Sequence, residues 1–124
     1  MVEIKNPENI LEEIELSDLL KRALELKKDG LRFSQACAAY VNDKFELSYS
    51  FSNYETYQLH TLRVVVDVEQ EVPSITEIVP AAVFYENEMK EVFGVKIKMI
   101  SLDYENKLYR IRQEAPLGPK KEEN

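Results

Sequence analysis

The spacing of apolar side chains changes several times along the chain, and each change marks an element. From Ser17 the spacing is helical: Leu19, Leu20, Ala23, Leu24 and Leu26 share one side, Ser17 is placed to cap the start, and Asp18 sits in the first turn. Lys27 and Lys28 followed by Gly30 supply dipole-matched charge and a C-terminal glycine, which predicts a helix over 17–29. After Gly30 the period drops to two. Phe33, Gln35, Cys37 and Ala39 alternate with Ser34, Ala36, Ala38 and Tyr40, and Asn42-Asp43-Lys44 forms a turn. Phe45, Leu47, Tyr49 and Phe51 then face one way and Glu46, Ser48 and Ser50 the other, completing a hairpin. A turn near Ser52-Asn53 leads into a third strand, in which Leu62, Val64, Val66 and Val68 oppose Arg63, Val65 and Asp67.

Glu69 to Val72 reads as a polar connection. Next, Ser74 and Glu77 have the spacing of a capping box, and Pro80 removes a helical hydrogen bond, so one short turn is expected at 74–79 and the main helix from Pro80. Ala82, Tyr85, Met89, Val92 and Phe93 form its apolar stripe and Gly94 its C-cap, after which Val95, Ile97 and Met99 alternate with Lys96 and Lys98 as a last short strand. Ahead of the first helix, Ile10, Leu11, Ile14 and Leu16 fit a helix and an extended edge equally. The fold class is α+β: an antiparallel meander of three to four strands, one helix before it and one after. Residues 1–103 form the domain and 104–124, rich in charge and proline, an extended tail.

At 124 residues there is material for one core and no second domain. A net charge of −7 repels phosphate backbones and anionic lipid heads, which argues against nucleic acid and membrane-surface roles. No apolar run approaches the length that spans a bilayer and no secretory leader is recognisable, so a cytoplasmic protein without its own membrane span is expected. One cysteine and one histidine exclude an internal disulfide and cannot supply the ligands of an iron–sulfur cluster. Three glycines leave no material for a phosphate-cradling loop.

Few residues suggest chemistry. His60 shares the face of Leu62 and Val64 and is read as a hydrogen-bonded strand residue in preference to a proton carrier, since no nucleophile motif accompanies it. Cys37, in a strand of small residues, is read as a packing residue. Glu88 and Glu91 face together on the second helix and Glu86 can pair with Lys90, the pattern of a solvated face.

The stretch LRVVVDV at 62–68 followed by VPSITEIVPAAVFYENEMKEVFGV at 72–95 is more specific. It resembles the signature region of the thirty-kilodalton subunit of respiratory complex I and of its counterparts in membrane-bound energy-converting NiFe hydrogenases. In that family an L-R-V-x-V strand precedes P-S-(I/V)-T-(D/E)-(I/L)-x-P-A-A-x-(W/F)-(Y/F)-E-R-E-x-x-(D/E)-(L/M/V)-F-G. Pro73, Ser74, Ile75, Thr76, Glu77, Ile78, Pro80, Ala81, Ala82, Phe84, Tyr85, Glu86, Glu88, Glu91, Phe93 and Gly94 stand in register with it, and Asn87 replaces the usual arginine. The G-H-P element common after the glycine in complex I members is absent, which resembles the compact hydrogenase branch.

The resemblance implies a non-catalytic accessory subunit that binds no cofactor. The NiFe centre and iron–sulfur clusters are then expected on its partners, the hydrogenase large subunit and the iron–sulfur small subunit, at the cytoplasmic face of the inner membrane. It further implies that Pro73, Ser74, Thr76, Glu77, Pro80, Tyr85, Glu86, Glu88, Glu91, Phe93 and Gly94 form the partner-binding motif, the carboxylates meeting arginines or lysines. Two other readings remain: the thirty-kilodalton-type subunit of a complex I-like quinone or ferredoxin-dependent oxidoreductase, and a stand-alone ligand-binding domain using His60, Glu88 and Glu91.

Overall fold

In the computed structural model, residues 8–100 and 117–119 are described. The order is β1 (Ile10–Glu13), a 3-10 turn at Leu16–Asp18, α1 (Leu19–Lys28), β2 (Arg32–Val41), β3 (Lys44–Ser52), β4 (Leu59–Asp67) and β5 (Glu71–Pro73), then a 3-10 turn at Pro80–Ala82, α2 (Val83–Glu88), a π turn at Met89–Phe93 and β6 (Lys96–Lys98). The α+β class therefore holds. Strands β2, β3 and β4 make the antiparallel meander, and β1 adds to β4 in parallel, giving the order β1-β4-β3-β2. The segment that fitted either helix or edge is an edge strand. Its chain direction is set by long-range pairing of Ile10 through Glu13 with His60 through Arg63, which local periodicity does not encode.

The β2–β3 hairpin turns on Asn42 and Asp43, both at positive φ, the geometry of a two-residue turn whose twist matches the flanking strands. Alternation through β3 and β4 is as the sequence indicates: Phe45, Leu47, Tyr49, Phe51, Leu62, Val64 and Val66 are buried on one face. In β2 the alternation breaks. Phe33 pairs with Phe51 but Gln35 with Ser50, so Ser34 is an extra residue opposite one step of β3. The bulge exchanges the faces beyond it, so that Ala36 and Ala38 are buried and Cys37 is exposed. The expectation of a packed Cys37 is thereby corrected.

Both helices cover the same face. Leu19, Ala23 and Leu26 of α1 are buried in the core, with α1 lying over β4, while α2 and the π turn lie over β2. Helix α1 starts differently from the expectation: Asp18 occupies the cap after a 3-10 turn, closed by its backbone N–H to Glu15 O at 2.9 Å, and no cap side chain takes part. The opposite sheet face carries a Ser50–Thr61 hydroxyl pair at 2.9 Å and an Arg63–Glu46 ion pair at 3.1 Å, with Val65 exposed beside them.

The connection expected at 69–72 instead includes β5, which pairs in parallel with β6 in a second, two-stranded sheet. Lys96 with Glu69 and Lys98 with Glu71 brace the pair from outside. Val72, Ile75, Val79, Val95 and Ile97 form the part of the core beneath it. Met99, expected to continue the alternation, is exposed at positive φ, and Ile100 turns inward in its place. The tail expected at 104–124, like the domain boundary at 103, falls almost wholly outside the described residues. Within Leu117–Pro119, Leu117 donates its N–H to Val92 O at 2.8 Å.

Candidate functional site

The motif region is a closed turn leading into a short helix, held between β5 and β6. Ser74 N–H donates to Lys98 O at 2.9 Å, tying the turn to β6. Ile75 O accepts from Ile78 N at 3.0 Å and from Val79 N at 2.9 Å, which closes one turn over 75–79, and Pro80 opens the helical segment after it. That division is the one Pro80 predicts. Lys27 of α1 reaches across and donates to Ile78 O, fixing the turn to the first helix.

The capping box does not form. The Ser74 N–H it would assign to Glu77 is bonded to Lys98, and Glu77 is exposed. The carboxylate that closes the turn is Glu86, eleven residues on: its Oε1 accepts from Ile75 N–H at 2.8 Å and its Oε2 from the Ser74 hydroxyl at 2.5 Å. Ser74 Oγ in turn accepts from Thr76 N–H at 3.0 Å and meets the Thr76 hydroxyl at 2.7 Å. Glu86 is 0% exposed. Burial raises its carboxyl above the ordinary range, against the opposing pull of the Ile75 and Ser74 donors. Tyr49, also fully buried, has a hydroxyl without a hydrogen-bond partner among the described residues; burial first and the Glu86 charge second push its phenol up.

Glu86 is therefore an internal clasp, and the expected Glu86–Lys90 surface pairing is corrected. The spacing Ala82, Glu86, Met89, Phe93 already lies along one helical stripe, so its inward aim was present in the sequence; the carboxylate identity masked it. Glu91 is buried as well, 3% exposed, because the π turn widens the helix after Glu88 and rotates the later residues. Glu88 stays outside, so Glu88 and Glu91 do not share a face. Gly94 ends the helix in the left-handed conformation, φ 85°, with its N–H on Lys90 O at 3.1 Å, as the sequence indicates.

Among the other motif residues, Pro73 ends β5, Thr76 is buried, and Tyr85 is half-buried with its ring edge-on to Phe33 at 5.7 Å. Phe33 in turn meets Phe51 at 5.6 Å, linking α2 to the sheet core. Phe93 is half-buried against the core. Asn87, at the position where an arginine is usual, is buried and donates its side-chain amide to Val83 O at 2.8 Å. What α2 shows to solvent is a ridge: Glu77 and Pro80 before it, then Ala81, Phe84 and Glu88.

His60 lies elsewhere. On β4, beside β1 and α1, its Nε2 is 2.7 Å from Glu12 Oε2. Arg22 binds the same carboxylate through Nε at 2.9 Å and Nη2 at 2.8 Å and reaches Glu25 at 2.6 Å. The Arg22 hydrogen bonds are the largest effect on Glu12 and hold its carboxyl below the ordinary range. This cluster and the α2 carboxylates sit over opposite ends of the strand order, so the structure does not assemble His60, Glu88 and Glu91 into one site. The grooves near the cluster are open to solvent; one of about 460 Å³ is lined by Glu13, Ile14, Glu15, Asp18, Arg63 and Val65. Among the described residues no group of three or more His, Cys, Asp or Glu is arranged to hold a metal, and no helix is long and apolar enough to cross a membrane.

Residues 13–103 match the family model described as respiratory-chain NADH dehydrogenase, 30 Kd subunit. No curated protein matches the chain. Among solved structures, a chain of an archaeal respiratory membrane complex, the membrane-bound sulfane sulfur reductase, is similar with a TM-score of 0.70 and 18% identity, over 93% of this chain and 71% of that one. At that identity the likeness is one of fold.

Proposed function

The chain belongs to the family of the 30 kDa subunit of respiratory-chain NADH dehydrogenase, and from that premise we propose that it is a non-catalytic accessory subunit of a membrane-bound, ferredoxin-linked NiFe hydrogenase. In this role it docks on the large subunit in the cytoplasmic arm. The family match over residues 13–103 supports the accessory-subunit role, and the lack of a G-H-P element after Gly94 supports the hydrogenase branch. The arrangement of the motif supports it: Ser74, Thr76 and Glu86 are consumed in holding a turn and helix rigid, and a rigid element is what a docking subunit needs to present. With one cysteine and one histidine, the chain leaves electron transfer to clusters on its partners.

A second reading keeps the same role in a complex with another acceptor. That alternative machine is a complex I-like quinone or ferredoxin-dependent oxidoreductase, and the description of the structural neighbour as part of a respiratory membrane complex, a sulfane sulfur reductase, supports keeping an acceptor other than protons open. Anaerobic affinity purification of the tagged chain from its native host in mild detergent separates the two. Co-elution with a NiFe large subunit and hydrogen evolution from reduced ferredoxin is the expected result. Reduction of quinone or sulfane sulfur without hydrogen evolution would move the chain to the second machine. Recovery of the chain alone would overturn both.

A further inference from the structure

The motif helix ends in a joint that holds two hydrogen-bond registers at once. In the π turn Met89–Phe93 the bonds reach five residues back, where those of α2 reach four. Gly94, which closes the turn, divides its N–H between Lys90 O, the α partner, at 3.1 Å and Met89 O, the π partner. Shared amides are common at helix ends, and this one needs little movement to favour either register. The last carbonyls of a helix also lack partners within it. Here they meet a distant piece of the chain, Leu117–Pro119. Val92 O accepts from Leu117 N–H at 2.8 Å, and Gly118 lies so close to Phe93 O that a Cβ there would stand 1.8 Å from that oxygen. The φ of Gly118 lies outside the left-handed region, so the close approach is what requires glycine. Of the three glycines in the sequence, two meet at this joint.

We propose that Leu117–Pro119 is a strap that sets the register of the motif helix. Docked, it holds Met89–Phe93 in the π form with Glu91 inside; released, the segment closes to an α turn and brings Glu91 to the surface beside Glu88. The π form is rare, and burying a carboxylate costs free energy, so the α register with Glu91 in water is the state to which the turn returns once the strap contacts are lost. Glu88 and Glu91 are three apart, which makes them neighbours on an α-helix. In the docked state they are separated, Glu88 exposed and Glu91 3% exposed. The change can be absorbed at Gly94, whose left-handed backbone stands between the turn and the core residues Val95 and Ile97. The strap thereby decides whether the end of the helix presents one carboxylate or two, and this holds whichever complex the chain serves.

The test compares the full-length wild type with Gly118→Ala, which forces the strap off Phe93 O, and Leu117→Pro, which removes the donor to Val92 O without adding bulk at 118. Leu117→Ala is the control, because the Leu117 side chain is 58% exposed and the contact is made by its backbone. Each purified chain is treated with a carbodiimide and glycine ethyl ester, and labelling of Glu91 is read by mass spectrometry against Glu88 as the internal reference. In wild type and Leu117→Ala, Glu88 should label and Glu91 should resist. In Gly118→Ala and Leu117→Pro the labelling of Glu91 should rise by about tenfold, the factor that loss of one such bond and its packing supports. The NMR coupling through the Gly94 hydrogen bond should move from the Met89 carbonyl to that of Lys90, while the amides of β3 and β4 stay protected from exchange. Glu91 that keeps its wild-type protection in either strap variant would overturn the proposal, because the core alone would then hold the π turn. So would loss of protection throughout β3 and β4, which would make the strap part of the global fold, or equal exposure of Glu91 in Leu117→Ala.

Discussion

Replacing Glu86 by alanine removes the acceptor for two donors at once, one buried and one half-buried. The Ile75 N–H, now 2.8 Å from the carboxylate, would be left buried without its acceptor, and the half-buried Ser74 hydroxyl, now at 2.5 Å, would keep only the Thr76 hydroxyl at 2.7 Å. Each orphaned donor costs about 1–3 kcal/mol. Loss of a carboxylate that is itself strained by burial returns part of that, so Glu86→Ala should destabilise the chain by about 2–5 kcal/mol, a large share of a domain's stability. The melting temperature would fall by about 10 to 20 °C.

Glu86→Gln separates shape from charge. The amide oxygen can still accept from Ile75 while its NH2 meets a Ser74 hydroxyl already accepting from Thr76, so a loss of about 1 kcal/mol is expected near neutrality. The pH dependence gives the sharper check. Because burial raises the folded-state carboxyl above its ordinary value of 4.5, the native state binds this proton more tightly than the unfolded chain does. The contribution of Glu86 is full below pH 4.5 and declines as the pH rises towards the raised folded value. The advantage of wild type over Glu86→Gln should therefore be largest at low pH and shrink as the pH rises, measured by urea unfolding at pH 4 to 8. An advantage that grows with pH would show that the charged form is the stabilised one. A Glu86→Ala variant within 1 kcal/mol of wild type would refute the clasp altogether.

Other perturbations probe the remaining contacts. Tyr85→Ala should cost about 2–3 kcal/mol, below the range for fully buried aromatics because the ring is only half-buried over Phe33, and urea unfolding measures it. Gly118→Ala would place a Cβ 1.8 Å from the Phe93 carbonyl oxygen, so the Leu117–Val92 contact must open; faster exchange of the Leu117 amide proton is the expected sign. Cys37, turned outward by the Ser34 bulge, should react with a thiol reagent in the native protein at a rate close to that in urea. Glu12→Gln should flatten the acid limb of the stability curve. The lowered Glu12 carboxyl contributes stability above pH 4.5 that is lost as the pH falls through its folded value, and an unaltered acid limb would refute the Arg22–Glu12–His60 cluster as its origin.

The parts of the fold legible from the sequence are those with strong local signals: α1 with its terminal lysines and glycine, the Asn42-Asp43 hairpin, the alternation of β3 and β4, and the division of the motif at Pro80. Features set by pairing across long separations were not. β1 and β5 are four and three residues long, too short for periodicity to speak, and their strand character comes from partners about 50 and 25 residues away. The bulge at Ser34 is one extra residue without a glycine to announce it, and it alone exchanged Cys37 with Ala36 and Ala38. The π turn acts similarly, separating Glu91 from Glu88. At the candidate site, which of the motif's carboxylates face inward depended on tertiary contacts with the Ser74–Thr76 turn.

Deleting the chain from its native host tests the accessory role most directly, with ferredoxin-driven hydrogen evolution measured in washed membranes beside the amount of NiFe large subunit in each fraction. If the chain is a docking subunit, membrane activity falls to background, the large subunit shifts to the soluble fraction, and a plasmid copy restores both. Membranes that keep their large subunit and full hydrogen evolution without the chain would contradict it.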